Sequence, residues 1–234
     1  MIELKSVTKR YDSLTAVDNV TFSVIKGEYF ALLGPNGAGK TTIVKMLLDF
    51  TRPTSGSLSV GGVPSTQPEC RREIGYLAEN HHIPPHLSGW QYLLRCAELL
   101  GIARSEAMDQ CRRIIESIGM QGREHAKSGT YSKGMIQRFG LGAALMGDPR
   151  LLILDEPTGG LDPIGIRETR LLLESLKHKG MTIFLNSHLL SEVEKICDTV
   201  AIMNRGKLLV KDAISAIVRD GDTLEDVFVR LVKG

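Results

Sequence analysis

The run GPNGAGKTT, Gly34 to Thr42, constrains this chain more than any other stretch. Four residues separate Gly34 from Gly39, and Lys40 and Thr41 follow at once. Glycines tolerate positive φ and allow close backbone approach, so successive N–H groups of such a loop can converge on phosphate oxygens at a helix N-terminus. The apolar run Tyr29 to Leu33 before it reads as a buried strand, and the apolar-periodic Ile43 to Leu48 after it as a helix. An ordinary Gly-rich turn needs neither flank. Gly34, Pro35, Asn36, Gly37, Ala38, Gly39, Lys40, Thr41 and Thr42 are therefore the candidate phosphate contacts. Lys40 is placed to reach the β- and γ-phosphates, and the Thr41 hydroxyl to ligate Mg²⁺.

The remaining pattern is that of an α/β chain. Ile2 to Thr8, Val20 to Ile25 and Ser57 to Val60 read as short strands, an antiparallel flank on a mainly parallel core. From about Ser88 to Gly147 the pattern turns helical. Ser88 and Gln91 have capping-box spacing, and helices are expected from Ser88 to Gly101, over Ser105 to Ile118, and from near Ser132 to Met146. Leu151 to Leu154 and Met181 to Leu185 are continuous apolar runs, as buried parallel strands require. Between them Asp162 and Pro163 open a helix as N-cap and first residue. Thr199 to Met203 and Leu208 to Val210 form a hairpin across Asn204, Arg205 and Gly206, and short helices are expected from about Asp212 and Thr223.

Whole-chain properties exclude several classes. With 29 Lys plus Arg against 27 Asp plus Glu, the net charge of +2 provides no basic field of the kind that drives binding to nucleic acid, so no nucleic-acid partner is expected. Cys70, Cys96, Cys111 and Cys197 have no metal-like or CxxC spacing and fit buried thiols in a reducing cytosol. The N-terminal MIELKSVTKRYD lacks the pattern of a signal peptide, and no apolar run reaches membrane-spanning length.

In open α/β sheets, ligands bind beyond the carboxyl ends of the strands. After Leu151 to Leu154 come Asp155 and Glu156, and after Met181 to Asn186 comes His188. Together with the phosphate loop they suit metal-assisted hydrolysis of a phosphoanhydride. Asp155 is assigned to Mg²⁺ and Glu156 to the base that orients and deprotonates the attacking water; the plainer alternative is that Glu156 and Pro157 merely end the strand.

GPNGAGKTT, YSKGM at Tyr131 to Met135, LLILDEP at Leu151 to Pro157, GLD at Gly160 to Asp162 and NSH at Asn186 to His188 together resemble the ordered motifs of ABC-transporter ATPase subunits. The resemblance covers nearly the whole chain. It implies a single ABC ATPase domain on a P-loop NTPase core, residues 1–87 and 148–234, with an inserted α-helical lobe at about 88–147. It also implies that ATP is held with Mg²⁺ between two subunits arranged head to tail. Ser132 and Gly134 match the signature that faces the other subunit's γ-phosphate, although Ser132 by itself reads as a plain N-cap. Tyr11 matches the aromatic that stacks on adenine, the alternative being a strand-end Tyr packed on its neighbours. His188 matches the switch histidine at the γ-phosphate, and Asp162 the loop that couples the two sites.

Two departures stand out. Tyr131, Lys133 and Met135 differ from the commonest LSGGQ form, and Glu79 in IGYLAE occupies the position where the family usually carries a Gln touching Mg²⁺ and water. A carboxylate can still bind the metal but cannot donate a hydrogen bond when ionised. His81, His82 and His86 follow closely and read as a solvated loop rather than a metal cluster. The ending TLEDVFVRLV resembles ATPases that serve exporters, and the length leaves no room for the regulatory domain of many sugar importers. The expected partners are separately encoded transmembrane permease subunits and a second or related ATPase subunit, with the chain cytoplasmic and peripheral on the membrane. The rival function is a non-transport ABC-type ATP switch in a DNA-repair or translation complex.

Overall fold

The computed structural model describes residues 1–219 and 221–233. The chain divides into two compact units, Met1–Glu73 with Lys179–Gly234, and Ile74–His178.

In the first unit, β1 (Ile2–Tyr11) and β2 (Leu14–Val24) form an antiparallel hairpin. On the other edge of β1 lies β4 (Ser55–Val60), followed by β5 (Val63–Pro64), so this sheet runs β2-β1-β4-β5. A second layer is built on β3 (Tyr29–Leu33), which pairs in parallel with β8 (Thr182–Asn186) and β9 (Thr199–Asn204). An antiparallel strand, β10 (Lys207–Ala213), extends β9. Every residue of β3 and β8 is buried, which is why β3 is wholly apolar and β8 is apolar between Thr182 and Asn186. Phe22 stacks on Phe30, and Phe184 packs tilted against Phe30, each pair with centroids 5.3 Å apart, joining the antiparallel flank to the parallel strands. The helices of this unit are α1 (Lys40–Leu47), α6 (Leu190–Ile196), α7 (Ile214–Ile217) and α8 (Leu224–Lys233).

The second unit carries β6 (Ile74–Leu77) and β7 (Leu151–Asp155), parallel and registered Leu77 to Leu154. Its helices are α2 (Gly89–Leu99), α3 (Arg104–Ser117), α4 (Lys133–Leu145) and α5 (Pro163–Lys177), the first three within the stretch expected as a helical lobe. Ser88 and Gln91 form both halves of the capping box, at 3.2 and 3.0 Å, a cap that stabilises a helix by about 1 kcal/mol. At Gly75 a Cβ would run into the Ala144 carbonyl, so β6 and α4 approach as closely as they do because that residue has no side chain.

Some boundaries differ from the sequence expectation. The second strand begins at Leu14, not Val20, because β1 and β2 are joined tightly at Asp12, with φ 46, and pair from Tyr11–Leu14 onward. The run LTAVDN at residues 14–19 shows no clean alternation, which hides this, and Asn19, at φ 51, marks a break in the ladder. The helix expected from Asp212 starts at Ile214, since the ladder continues to Ala213–Thr199. Pro68–Glu73 forms a 3-10 helix that no periodicity announced. Of the three histidines, His82 and His86 are exposed as expected of a solvated loop, whereas the His81 ring meets Tyr92 edge-on at 5.6 Å with its Nε2 buried and without a hydrogen-bond partner. Burial lowers the His81 pKa. Cys70, Cys111 and Cys197 are buried thiols, and burial pushes Cys111 up to about 11. Among the described residues no helix is long and apolar enough to cross a membrane.

Candidate functional site

The site residues are divided between the two units, and part of them line two grooves, one in each unit. In the first unit β3 ends at Leu33 and the loop returns to α1 through Gly39, which caps the helix with φ 105. Two glycines here have no substitute: a Cβ at Gly34, φ 156, would sit 2.5 Å from the Met203 carbonyl, and one at Gly39 would strike the Ala16 carbonyl. Gly37 is different, with φ 79 and open space around it, so its requirement is conformational alone. The Lys40 Nζ donates to the Gly34 carbonyl at 2.6 Å and to that of Pro35 at 3.3 Å. That contact holds an ammonium within the curve of the loop at the positive end of a helix dipole, where anionic oxygens are favoured. The Ala38 N–H donates to Pro35 and Ala38 accepts from Gly206, both at 3.1 Å, which fixes the loop on both sides.

A groove of about 430 Å³ opens over this loop, lined by Tyr11, Leu14, Thr15, Ala16, residues 36–42 and Arg205. Tyr11 is 41% exposed, so a planar face is available for stacking, and the Lys9 ammonium lies 4.8 Å from its centroid. The structure thus brings Tyr11 together with Asn36 to Thr42. Arg205, Leu14, Thr15 and Ala16 are lining residues that sequence reading missed; the only hint was a cation in a hairpin turn. His188, exposed, follows β8 in the same unit, where the Ser187 Oγ accepts the Leu189 N–H at 3.2 Å.

In the second unit the parallel strands β6 and β7 end side by side, with Asp155 the last residue of β7 and Glu79 two residues past the end of β6. Asp155 is buried and Glu79 exposed. Both act on Tyr76: its hydroxyl pKa is raised first by burial, then by Asp155 and by Glu79. Glu156 takes the left-handed conformation at φ 51, unusual outside glycine, and its carbonyl accepts the Gly159 N–H at 3.0 Å. A carboxylate held in a strained turn just past a strand is where functional residues collect. Among the described residues no three His, Cys, Asp or Glu side chains converge to enclose a metal. Each unit offers oxygen donors of the kind Mg²⁺ prefers, the Thr41 hydroxyl in the first and the Asp155 and Glu79 carboxylates in the second.

A second groove, of about 500 Å³ and wholly within this unit, gathers Ser132, Gly134 and Asp162. Ser132 caps α4, its Oγ accepting the Met135 N–H at 3.3 Å, and Asp162 caps α5 by accepting from Gly165 at 2.7 Å. At Gly134 a Cβ would meet nothing nearer than Leu161, at 3.8 Å. Packing within the chain therefore does not demand that glycine. Tyr131, a departure from the common signature, is buried and stacked on Phe139 at 5.2 Å. Its hydroxyl accepts the Gly89 N–H and lies within 2.9 Å of the Arg123 and Ala126 carbonyls, so this aromatic fastens α2 to the loop before α4. Lys133 lies over Gly160, where a Cβ would collide with its ammonium.

The family model described as ABC transporter matches residues 17–159. The chain is 42% identical over 212 residues to the bacitracin transport ATP-binding protein BcrA of Bacillus licheniformis, covering 89% of this chain and 68% of that protein. It is 36% identical over 228 residues to the lantibiotic transport ATP-binding protein SrtF of Streptococcus pyogenes, covering 97% of this chain and 96% of the relative. Other relatives are longer, the chain spanning as little as 59% of one from Synechocystis. A solved structure of an ATP-binding subunit of an ABC transporter superposes with a TM-score of 0.88 at 29% identity, covering 99% of both chains.

Proposed function

The chain belongs to the ABC transporter ATP-binding family, and from that membership we propose that it is the ATP-hydrolysing subunit that drives export through separately encoded transmembrane subunits. The observation that carries the proposal is the groove of the first unit: a phosphate loop fixed by Lys40, with an exposed aromatic, Tyr11, on the same wall. Tyr11 stacks on adenine, and the loop N–H groups and Lys40 hold the phosphates; Thr41 and Asp155 would each supply an oxygen ligand to Mg²⁺, which would offset phosphate charge. Glu156 takes the proton of the attacking water, and His188 hydrogen-bonds the γ-phosphate. Ser132 and Gly134 act on the nucleotide of a second copy or a related subunit, with Asp162 coupling the two sites. Relatives named for bacitracin and lantibiotic transport support a transport role, and the TLEDVFVRLV ending supports export. The working location is the cytoplasmic face of the membrane, reached through the permease.

The direct test is copurification with a membrane subunit of about six hydrophobic spans, followed by ATPase assay with and without candidate cargo. Cargo-stimulated turnover is expected; a chain that binds no membrane protein and acts in a soluble complex would replace transport with the switch alternative.

Two variants address the finer assignments. Gly134→Ala has room inside the chain and removes a flexible residue from a helix, so melting should be unchanged or higher, by up to about 1 kcal/mol of stability. ATP-dependent pairing should nonetheless weaken, because the added methyl meets the other subunit's nucleotide. Full pairing in that variant, read by light scattering, would refute a role for Gly134 across the dimer. Glu79→Gln should keep ATP affinity within about twofold, since the amide oxygen can still serve as a ligand, while changing how strongly the permease stimulates turnover. Identical stimulation would show that the carboxylate is neutral for coupling.

A further inference from the structure

Arg205 forms, with Gly206, the two-residue turn between β9 and β10, at φ 48 and φ 80. Both positive angles are those of a type I′ turn, whose first central position favours Asn, Asp or Gly. An arginine there carries the left-handed conformation against its preference, of order 1 kcal/mol, without evident structural return. Its side chain is exposed, and no hydrogen bond or ion pair engages the guanidinium among the described residues.

The turn is, however, fastened to the phosphate loop. The Gly206 N–H donates to the Ala38 carbonyl at 3.1 Å, and the Gly206 carbonyl accepts from Asp18 at 2.8 Å. These bonds hold Arg205 on the wall of the same groove that carries Tyr11 and Lys40. A neighbouring cation, Lys207, faces Asp18 instead, at 3.7 Å. A guanidinium without an internal partner among the described residues, carried on a turn bonded to the anion-binding loop and lining its groove, matches phosphate oxygens, which it can grip with two parallel N–H donors.

We propose that Arg205 is a nucleotide-binding residue, a second cation that grips the phosphates common to nucleoside di- and triphosphates. The proposal rests on the nucleotide reading of the groove. It predicts opposite effects on fold and on binding when the side chain is exchanged for one better suited to the turn. Arg205→Asn should melt at or above the wild-type temperature without nucleotide, yet bind ADP and Mg·ATP each about tenfold more weakly by calorimetry, a loss within the range of one charge-assisted hydrogen bond. Its ADP affinity should also fall less steeply as KCl is raised, because one cation has left the groove. ADP affinity within twofold of wild type, or weakened binding that accompanies a lower melting temperature, would overturn the assignment alone. If wild-type protein bound no ADP, the nucleotide reading would fall and the assignment with it.

Discussion

Lys40→Ala will leave a folded chain that hydrolyses ATP at about 10² to 10³ below the wild-type rate. Lys40 is only half-buried, and its ammonium donates to the Gly34 and Pro35 carbonyls of the loop itself. Removing it therefore releases two acceptors beside solvent, an effect on stability of about 1 kcal/mol. The glycine geometry at Gly34 and Gly39 persists, because it is set by the Met203 and Ala16 carbonyls. What disappears is the positive charge at the β- and γ-phosphates, where negative charge is redistributed as the bond breaks. Nucleotide affinity should drop by roughly 10- to 100-fold for a charged hydrogen bond, with the larger loss in turnover. Calorimetry and a phosphate-release assay on the same preparation measure both. Near-normal turnover would remove the phosphate loop from the site.

Glu156→Gln should slow hydrolysis by about 10² to 10⁴ while ATP still binds. Gln keeps the shape and adopts the same left-handed turn, at φ 51, so the Gly159 N–H bond to the 156 carbonyl survives. The amide cannot accept the proton of water at neutral pH. Single-turnover measurement separates this from a binding defect: the burst should vanish with ATP affinity preserved. A variant that keeps a wild-type burst would reduce Glu156 to a residue ending a strand.

Much of the fold was legible because its signals are local. Continuous apolar runs marked β3 and β7, and Ser88, Ser132 and Asp162 announced three helix starts that the structure caps as expected. The boundaries of β2 and the start of α7 were not, since both depend on a partner strand that sustains pairing through polar residues. The phosphate loop was legible for the same reason as the helices, its residues being consecutive. Arg205 was not, because only tertiary folding carries the β9–β10 turn to Ala38. Likewise Tyr131 looked like a variation in a ligand motif, and the structure shows a buried hydroxyl tying Gly89 to the 123–126 loop. The strain at Glu156 has no sequence signal, since nothing in LLILDEP distinguishes a left-handed Glu from an extended one.

Central to the proposed roles is the inference that the site is completed only when a second chain closes over the nucleotide. Light scattering on Glu156→Gln tests it most directly, because the bound ATP persists. With Mg·ATP the particle should have twice the 25.7 kDa of one chain, and with ADP or no nucleotide the mass of a single chain. A single-chain mass with ATP demonstrably bound would contradict closure by a second copy.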